Sequence, residues 1–192
     1  LGNTVIMSRV KVLRTFLGNM ASPHTCWLLL RSLETLKVRM EQQARNAQQV
    51  VEFLEAHSKI DKIHYLGCID KNSKNYQLYK KQYSSPGAMI AFEIKGGQKE
   101  AFKFLNSLKL IKLAVSLGST ESLVQHPATM THVGLTEELK AEIGINQSLI
   151  RLSVGVEHAE DLMRDLSQGL ETLNIETETS NLSLETELAQ PI

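Results

Sequence analysis

The chain has 192 residues, 42% hydrophobic and 22% charged, which is the composition of a folded globular protein. Lys+Arg and Asp+Glu both number 21, so the zero net charge offers no basic patch to displace counterions, and no nucleic-acid partner is expected. Two cysteines, Cys26 and Cys68, are too few for a disulfide scaffold and suit a reducing compartment. No apolar run reaches bilayer-spanning length and no signal-peptide pattern is visible, so a cytoplasmic location without a membrane partner is expected. Residue 1 is Leu, not Met, which suggests a chain cut from something longer.

The first twenty residues read as a strand or loop remnant at Thr4-Val5-Ile6 and a short helix around Val10 to Leu17. Ser22-Pro23 opens the next helix, because a serine hydroxyl accepts from an orphan N–H and proline suits the first helical position. Leu29, Leu33, Leu36, Met40, Ala44, Ala47, Val51 and Leu54 then recur at intervals of three and four, one apolar stripe running to about His57. A single helix of that length would span roughly 50 Å, so a kink or a bridge between domains is expected. Residues 60–65 alternate like a strand, and residues 75–83 form a polar surface helix. After Pro86-Gly87, residues 88–94 form a buried strand, and residues 98–108 a helix with Ala101, Phe104, Leu105 and Leu108 on one face. A strand over residues 110–117 ends at Gly118-Ser119. A helix over residues 136–143 is closed by Gly144, residues 149–154 form a further strand, and residues 158–173 the last helix. Strands alternating with helices define an α/β or α+β domain, a small sheet with helices on one side. From Glu171 on the chain holds five glutamates and no lysine or arginine, so residues 174–192 are expected to be an acidic, flexible tail.

Two places carry candidate chemistry. Leu149-Ile150-Arg151-Leu152-Ser153-Val154-Gly155 is an apolar strand that should exclude a charge, since an unpaired buried guanidinium is costly. Arg151 therefore needs an anionic partner, either an internal Asp or Glu or the carboxylate or phosphate of a ligand. Residues 116–123 end a strand in Ser-Leu-Gly, exposing backbone N–H groups and small hydroxyls suited to an anion, or making an ordinary turn. His126 and His132 lie six apart across Pro127, no zinc spacing, so no metal site is expected and both histidines read as structural. Cys26 reads as a small buried hydrophobe at the start of the long helix.

Taken in order, Ser22-Pro23 with Trp27-Leu28, residues 35–40 with Asn46-Ala47, Pro86-Gly87-Ala88-Met89, residues 114–132 and residues 149–157 resemble the pyridoxal-phosphate (PLP) enzymes of cysteine and methionine metabolism. The resemblance implies the bridging helix and C-terminal domain of a fold-type I PLP-dependent transferase. Residues 1–57 would end the large cofactor domain, and residues 58–173 would form the small domain. It further implies that Arg151 pairs with the α-carboxylate of an amino-acid substrate, that Ser116 and the Leu117 backbone flank it, and that Thr131 lines the same pocket. The Schiff-base lysine and most of the cofactor-binding residues would lie upstream of Leu1, leaving this chain inactive alone. The parent is expected to be a homo-oligomer, a dimer of dimers.

Within that family, Val115 before Ser116 replaces an acid frequent in some members and suits an uncharged substrate side chain. The expected activity is γ-elimination by a carbon–sulfur lyase resembling methionine γ-lyase. The alternatives are γ-replacement, as in cystathionine γ-synthase or O-acylhomoserine sulfhydrylase, and a non-catalytic truncated domain that binds partners. Ser32, Gln43 and Ser119 depart from forms common in the family.

Overall fold

The computed structural model describes residues 2–174; the acidic stretch beyond lies outside the described residues. By contacts the chain divides into two units, Leu1–Val38 and Arg39 onward. The first unit holds α1 (Thr4–Leu17) and α2 (Pro23–Glu34). Thr4-Val5-Ile6 is the first turn of α1, not a strand, because Asn3 Oδ1 accepts from the Val5 N–H and nucleates the helix there. Ser22 caps α2 as expected, its hydroxyl accepting from Thr25 N at 3.2 Å. The long stripe breaks at Thr35, where φ −102° and ψ 2° leave the helical region, and α3 (Leu36–Glu55) follows. Neither α1 nor α2 buries a residue. Cys26 is consequently exposed, not a buried hydrophobe, because no core forms around it in this unit.

The second unit is a five-stranded sheet in the order β1-β2-β5-β4-β3, built from β1 (Ile60–His64), β2 (Met89–Ile94), β3 (Lys112–Leu113), β4 (Leu123–Gln125) and β5 (Leu149–Ser153). All neighbours run antiparallel except β3 and β4, which are parallel. Strand side chains alternate between faces, and Ile90, Phe92, Ile94, Val124, Ile150, Leu152 and Val154 share one of them, buried. α3, α5 (Gln98–Ser107) and α7 (Ala159–Glu171) cover that face with Ala47, Val50, Leu54, Ala101, Phe104, Leu162, Leu166 and Leu170. Phe92 and Phe104 meet edge to face at 6.1 Å, and each buried ring contributes about 1.5–3 kcal/mol. This matches the expected small sheet with helices on one side. The second half of α3 lies in this core, and the contact units divide near residue 38.

α4 (Lys74–Gln82) and α6 (Glu137–Glu142) fall where expected, capped by Ser73 and Thr136. The strand expected over residues 110–117 survives only as β3. Ahead of it, the carboxylate of Asp165 accepts from the N–H groups of Lys109, Leu110 and Ile111, each at 2.9 Å, and bends the chain. After it, Ala114 N makes a last bond to Val124 O, and the following carbonyls turn to a side chain on β5. β4 has no counterpart in the expected elements, since three residues are too short to display a period.

Candidate functional site

The face of the sheet away from the helices carries Arg151, at the middle of β5, with Ala91 of β2 and Gln125 of β4 as its register neighbours. Arg151 Nη2 donates to the carbonyl oxygens of Val115 at 3.1 Å and Ser116 at 2.8 Å. No carboxylate among the described residues forms an ion pair with it, so the internal salt bridge that the strand pattern left open is not made. Burial pushes the Arg151 pKa down, yet an arginine stays charged in a protein. Its Nε is buried and has no partner among the described residues. A half-buried cation whose only partners are neutral carbonyls retains capacity for an anion, and the planar guanidinium matches a carboxylate.

The loop that meets Arg151 is held by long-range hydrogen bonds. Ser153 Oγ accepts from Gly118 N at 2.9 Å, and Gly118 takes φ +75°, a conformation that favours glycine. Gln43 Nε2 donates to Ser119 O at 2.7 Å, so two of the positions that depart from common family forms touch one another. Ser122 donates its N–H and its hydroxyl to the carboxylate of Glu157, and the same hydroxyl accepts from Gly155 N at 2.8 Å. Asn46 Nδ2 donates to the carbonyls of Gly155 and Glu157 at 3.1 and 2.7 Å. Gly155 is required by packing, because a Cβ there would overlap the Thr120 carbonyl. Val115, Ser116 and Leu117 are thus exposed on a loop whose base is fixed from α3, β5 and the segment after it.

Thr131 lies on the turn after β4, its hydroxyl accepting from Gln125 Nε2 at 3.1 Å and bonded to His132 Nδ1 at 2.9 Å. Arg151, the 115–117 loop and, through Gln125, Thr131 are therefore connected on one face. His126 is 1% exposed, bonded to Thr129 Oγ1 and Gln147 O, and packs edge-on against Phe102 at 5.2 Å, which is a structural role. Sequence reading passed over Gln125, which directly opposes Arg151; the missed signal was a glutamine between Val124 and the buried His126. Cys68 stands elsewhere, donating to Glu55 Oε1 at 3.1 Å; burial, with that bond, raises its pKa to about 11 and holds it as the thiol.

The open sheet face thus carries a guanidinium whose partners among the described residues are carbonyl oxygens, beside a pinned loop. The chain belongs to the Cys/Met metabolism PLP-dependent enzyme family, whose description matches residues 2–171. It is 49% identical over 156 residues to an L-methionine γ-lyase of Porphyromonas gingivalis, covering 81% of this chain and 39% of that protein. It is 44% identical over 163 residues to a cystathionine γ-lyase of Mus musculus, covering 85% of this chain and 40% of the relative. A crystal structure described as a cystathione γ-lyase of Micromonospora echinospora superposes with a TM-score of 0.80 at 38% identity, over 88% of this chain and 44% of that one. The chain thus spans about two fifths of the length of these relatives.

Proposed function

We propose that this chain is the substrate-carboxylate part of a PLP-dependent carbon–sulfur lyase acting by γ-elimination on a sulfur amino acid. The observation that carries the reading is Arg151, a strand-borne guanidinium on an open face with carbonyl partners only. In this reading Arg151 binds the α-carboxylate, while Ser116 and the Leu117 backbone border it and Thr131 lines the pocket through Gln125. Holding the carboxylate fixes the orientation of the substrate's Cα and supplies part of the entropy cost of bringing it to the reacting groups. Val115, 55% exposed beside Ser116, presents an apolar wall to the substrate side chain, which suits an uncharged thioether better than a distal ammonium.

The groups set around Arg151 are the carbonyls of Val115 and Ser116 and the Gln125–Thr131 pair, a set that fits one carboxylate better than a phosphate-bearing cofactor. PLP, when bound, supplies the electron sink for carbanion chemistry. The residues that hold it and the lysine that bonds it would come from outside the described residues. Residues 1–57 would complete the large cofactor domain and residues 58–173 the small one, in a cytoplasmic homo-oligomer. Among the described residues no helix is long and apolar enough to cross a membrane.

The test is product analysis of the full protein that carries this chain. Release of 2-oxobutanoate from methionine is the expected result. Thioether formation from an O-acylhomoserine with cysteine or sulfide, without 2-oxobutanoate, would overturn elimination in favour of replacement. Neither product would overturn both.

A further inference from the structure

Two buried polar atoms without partners stand on opposed residues of the open face. Gln125 of β4 and Arg151 of β5 are antiparallel register partners, so their side chains leave the same face with Cβ atoms about 5 Å apart. Gln125 is 1% exposed. Its Nε2 is committed to Thr131 Oγ1 at 3.1 Å, which turns Oε1 the other way. That Oε1 accepts nothing, and Arg151 Nε donates to nothing, among the described residues. One is an acceptor and the other a donor on directly opposed residues, and buried polar groups are seldom left unpaired.

We propose that Gln125 is a positioning residue for Arg151, its Oε1 receiving the Nε–H and setting the plane of the guanidinium as it turns toward a carboxylate. The proposal rests on the reading that Arg151 binds the substrate's α-carboxylate. With Nε held by Gln125 and Nη2 by the carbonyls of Val115 and Ser116, Nη1 is the nitrogen left for the ligand. The chemistry also explains an amide at this position. A carboxylate would offer the same acceptor but would neutralise the charge that the ligand needs, whereas a neutral carbonyl orients the cation and leaves its charge available. Thr131 then acts one step further out, holding the Gln125 amide with its acceptor toward Arg151.

The experiment uses the full protein carrying this chain and two probes, norleucine and pentylamine, which differ only in the carboxylate. Gln125→Met keeps the size and removes the acceptor. It is expected to weaken norleucine binding about tenfold and to leave pentylamine within about twofold, because coupling between contacting polar groups is of that order. Gln125→Glu is expected to weaken norleucine at least as much. In an Arg151→Lys background, where no Nε–H exists, Gln125→Met should change norleucine binding by less than about twofold. Equal losses for both probes, or an undiminished tenfold loss in the Lys background, would overturn the proposal while leaving the carboxylate role of Arg151 intact. Unchanged norleucine binding in Arg151→Lys alone would instead overturn the functional reading beneath it. Should Gln125→Met fail to fold, Thr131→Val at its exposed turn carries the same comparison. A norleucine-specific loss there supports the chain of contacts, and no change overturns it.

Discussion

The two faces of the sheet obey opposite rules although they alternate residue by residue along the same strands. On one face Ile90, Phe92, Ile150 and Leu152 are at most 1% exposed and meet three helices, so that face is set by volume and packing. On the other, Glu93 and Arg151 meet a side chain and carbonyls brought from distant segments and Gln125 meets Thr131 of the following turn, so that face is set by which polar partners arrive. The contrast teaches that stability and ligand chemistry are separable here. A change on one face should leave the other's readout alone.

The largest effect that would test this separation is on the packed face. Phe92→Ala is expected to cost about 3–5 kcal/mol in denaturant unfolding, through lost burial and a cavity against Phe104. Carboxylate selectivity should survive in whatever fraction stays folded. If instead selectivity collapsed at concentrations of denaturant where the protein remains native, the two faces would be coupled and the comparison would fail.

Next comes Asp165→Ala, on α7. It strands three backbone N–H groups that bend the chain into β3 and is expected to cost about 3 kcal/mol in the same measurement. A smaller loss of about 1 kcal/mol would show that water replaces the carboxylate there.

On the open face, Arg151→Lys replaces a rigid fork with a point charge. KM for an amino-acid substrate should rise about 10–100-fold, equivalent to about 1.4–2.8 kcal/mol, with the unfolding midpoint nearly unchanged. A loss confined to kcat would place Arg151 outside substrate binding.

The smallest expected effect is electrostatic. Burial alone would raise the pKa of Glu93, but hydrogen bonds from His64 at 2.7 Å and Asn146 at 2.6 Å outweigh it and hold the pKa below its ordinary 4.5. A carboxylate whose folded pKa is depressed adds stability at pH above its unfolded value, and that stability is lost as pH falls through the folded value. Glu93→Gln should therefore lower stability slightly at neutral pH, where the ionised carboxylate contributes, and flatten the acid limb below about pH 4.5, the variant and the parent converging in acid. A steeper acid limb in the variant would reverse the sign assigned here.

Much of the architecture was legible from residue order. The Ser22-Pro23 helix start, the strand at residues 88–94, the strand around Arg151 and the final helix all announce themselves through caps, periods and a charge in an apolar run. These are local signals, readable within a few residues. The errors share a different cause. Thr4-Val5-Ile6 has strand propensity, but one side-chain cap from Asn3 tips it into a helix. The 110–117 strand has the right pattern, but Asp165 takes its first N–H groups and Arg151 takes carbonyls near its end. Cys26 sits among leucines that would suggest burial, and only the packing of its own unit shows that none occurs.

For the site, the sequence alone established that Arg151 needed an anionic partner, because an apolar strand tolerates a charge only where something compensates it. It could not say whether that partner was one of the chain's own acids. The answer depends on which segments the sheet order brings beside β5, and those lie 26 to 36 residues away along the chain, at Gln125, Ser116 and Val115. A residue's face follows from local alternation, whereas its partner follows from topology. Tertiary structure therefore decided that, among the described residues, Arg151 meets carbonyls and not carboxylates, and that a glutamine oxygen without a partner there stands opposite its unpaired nitrogen.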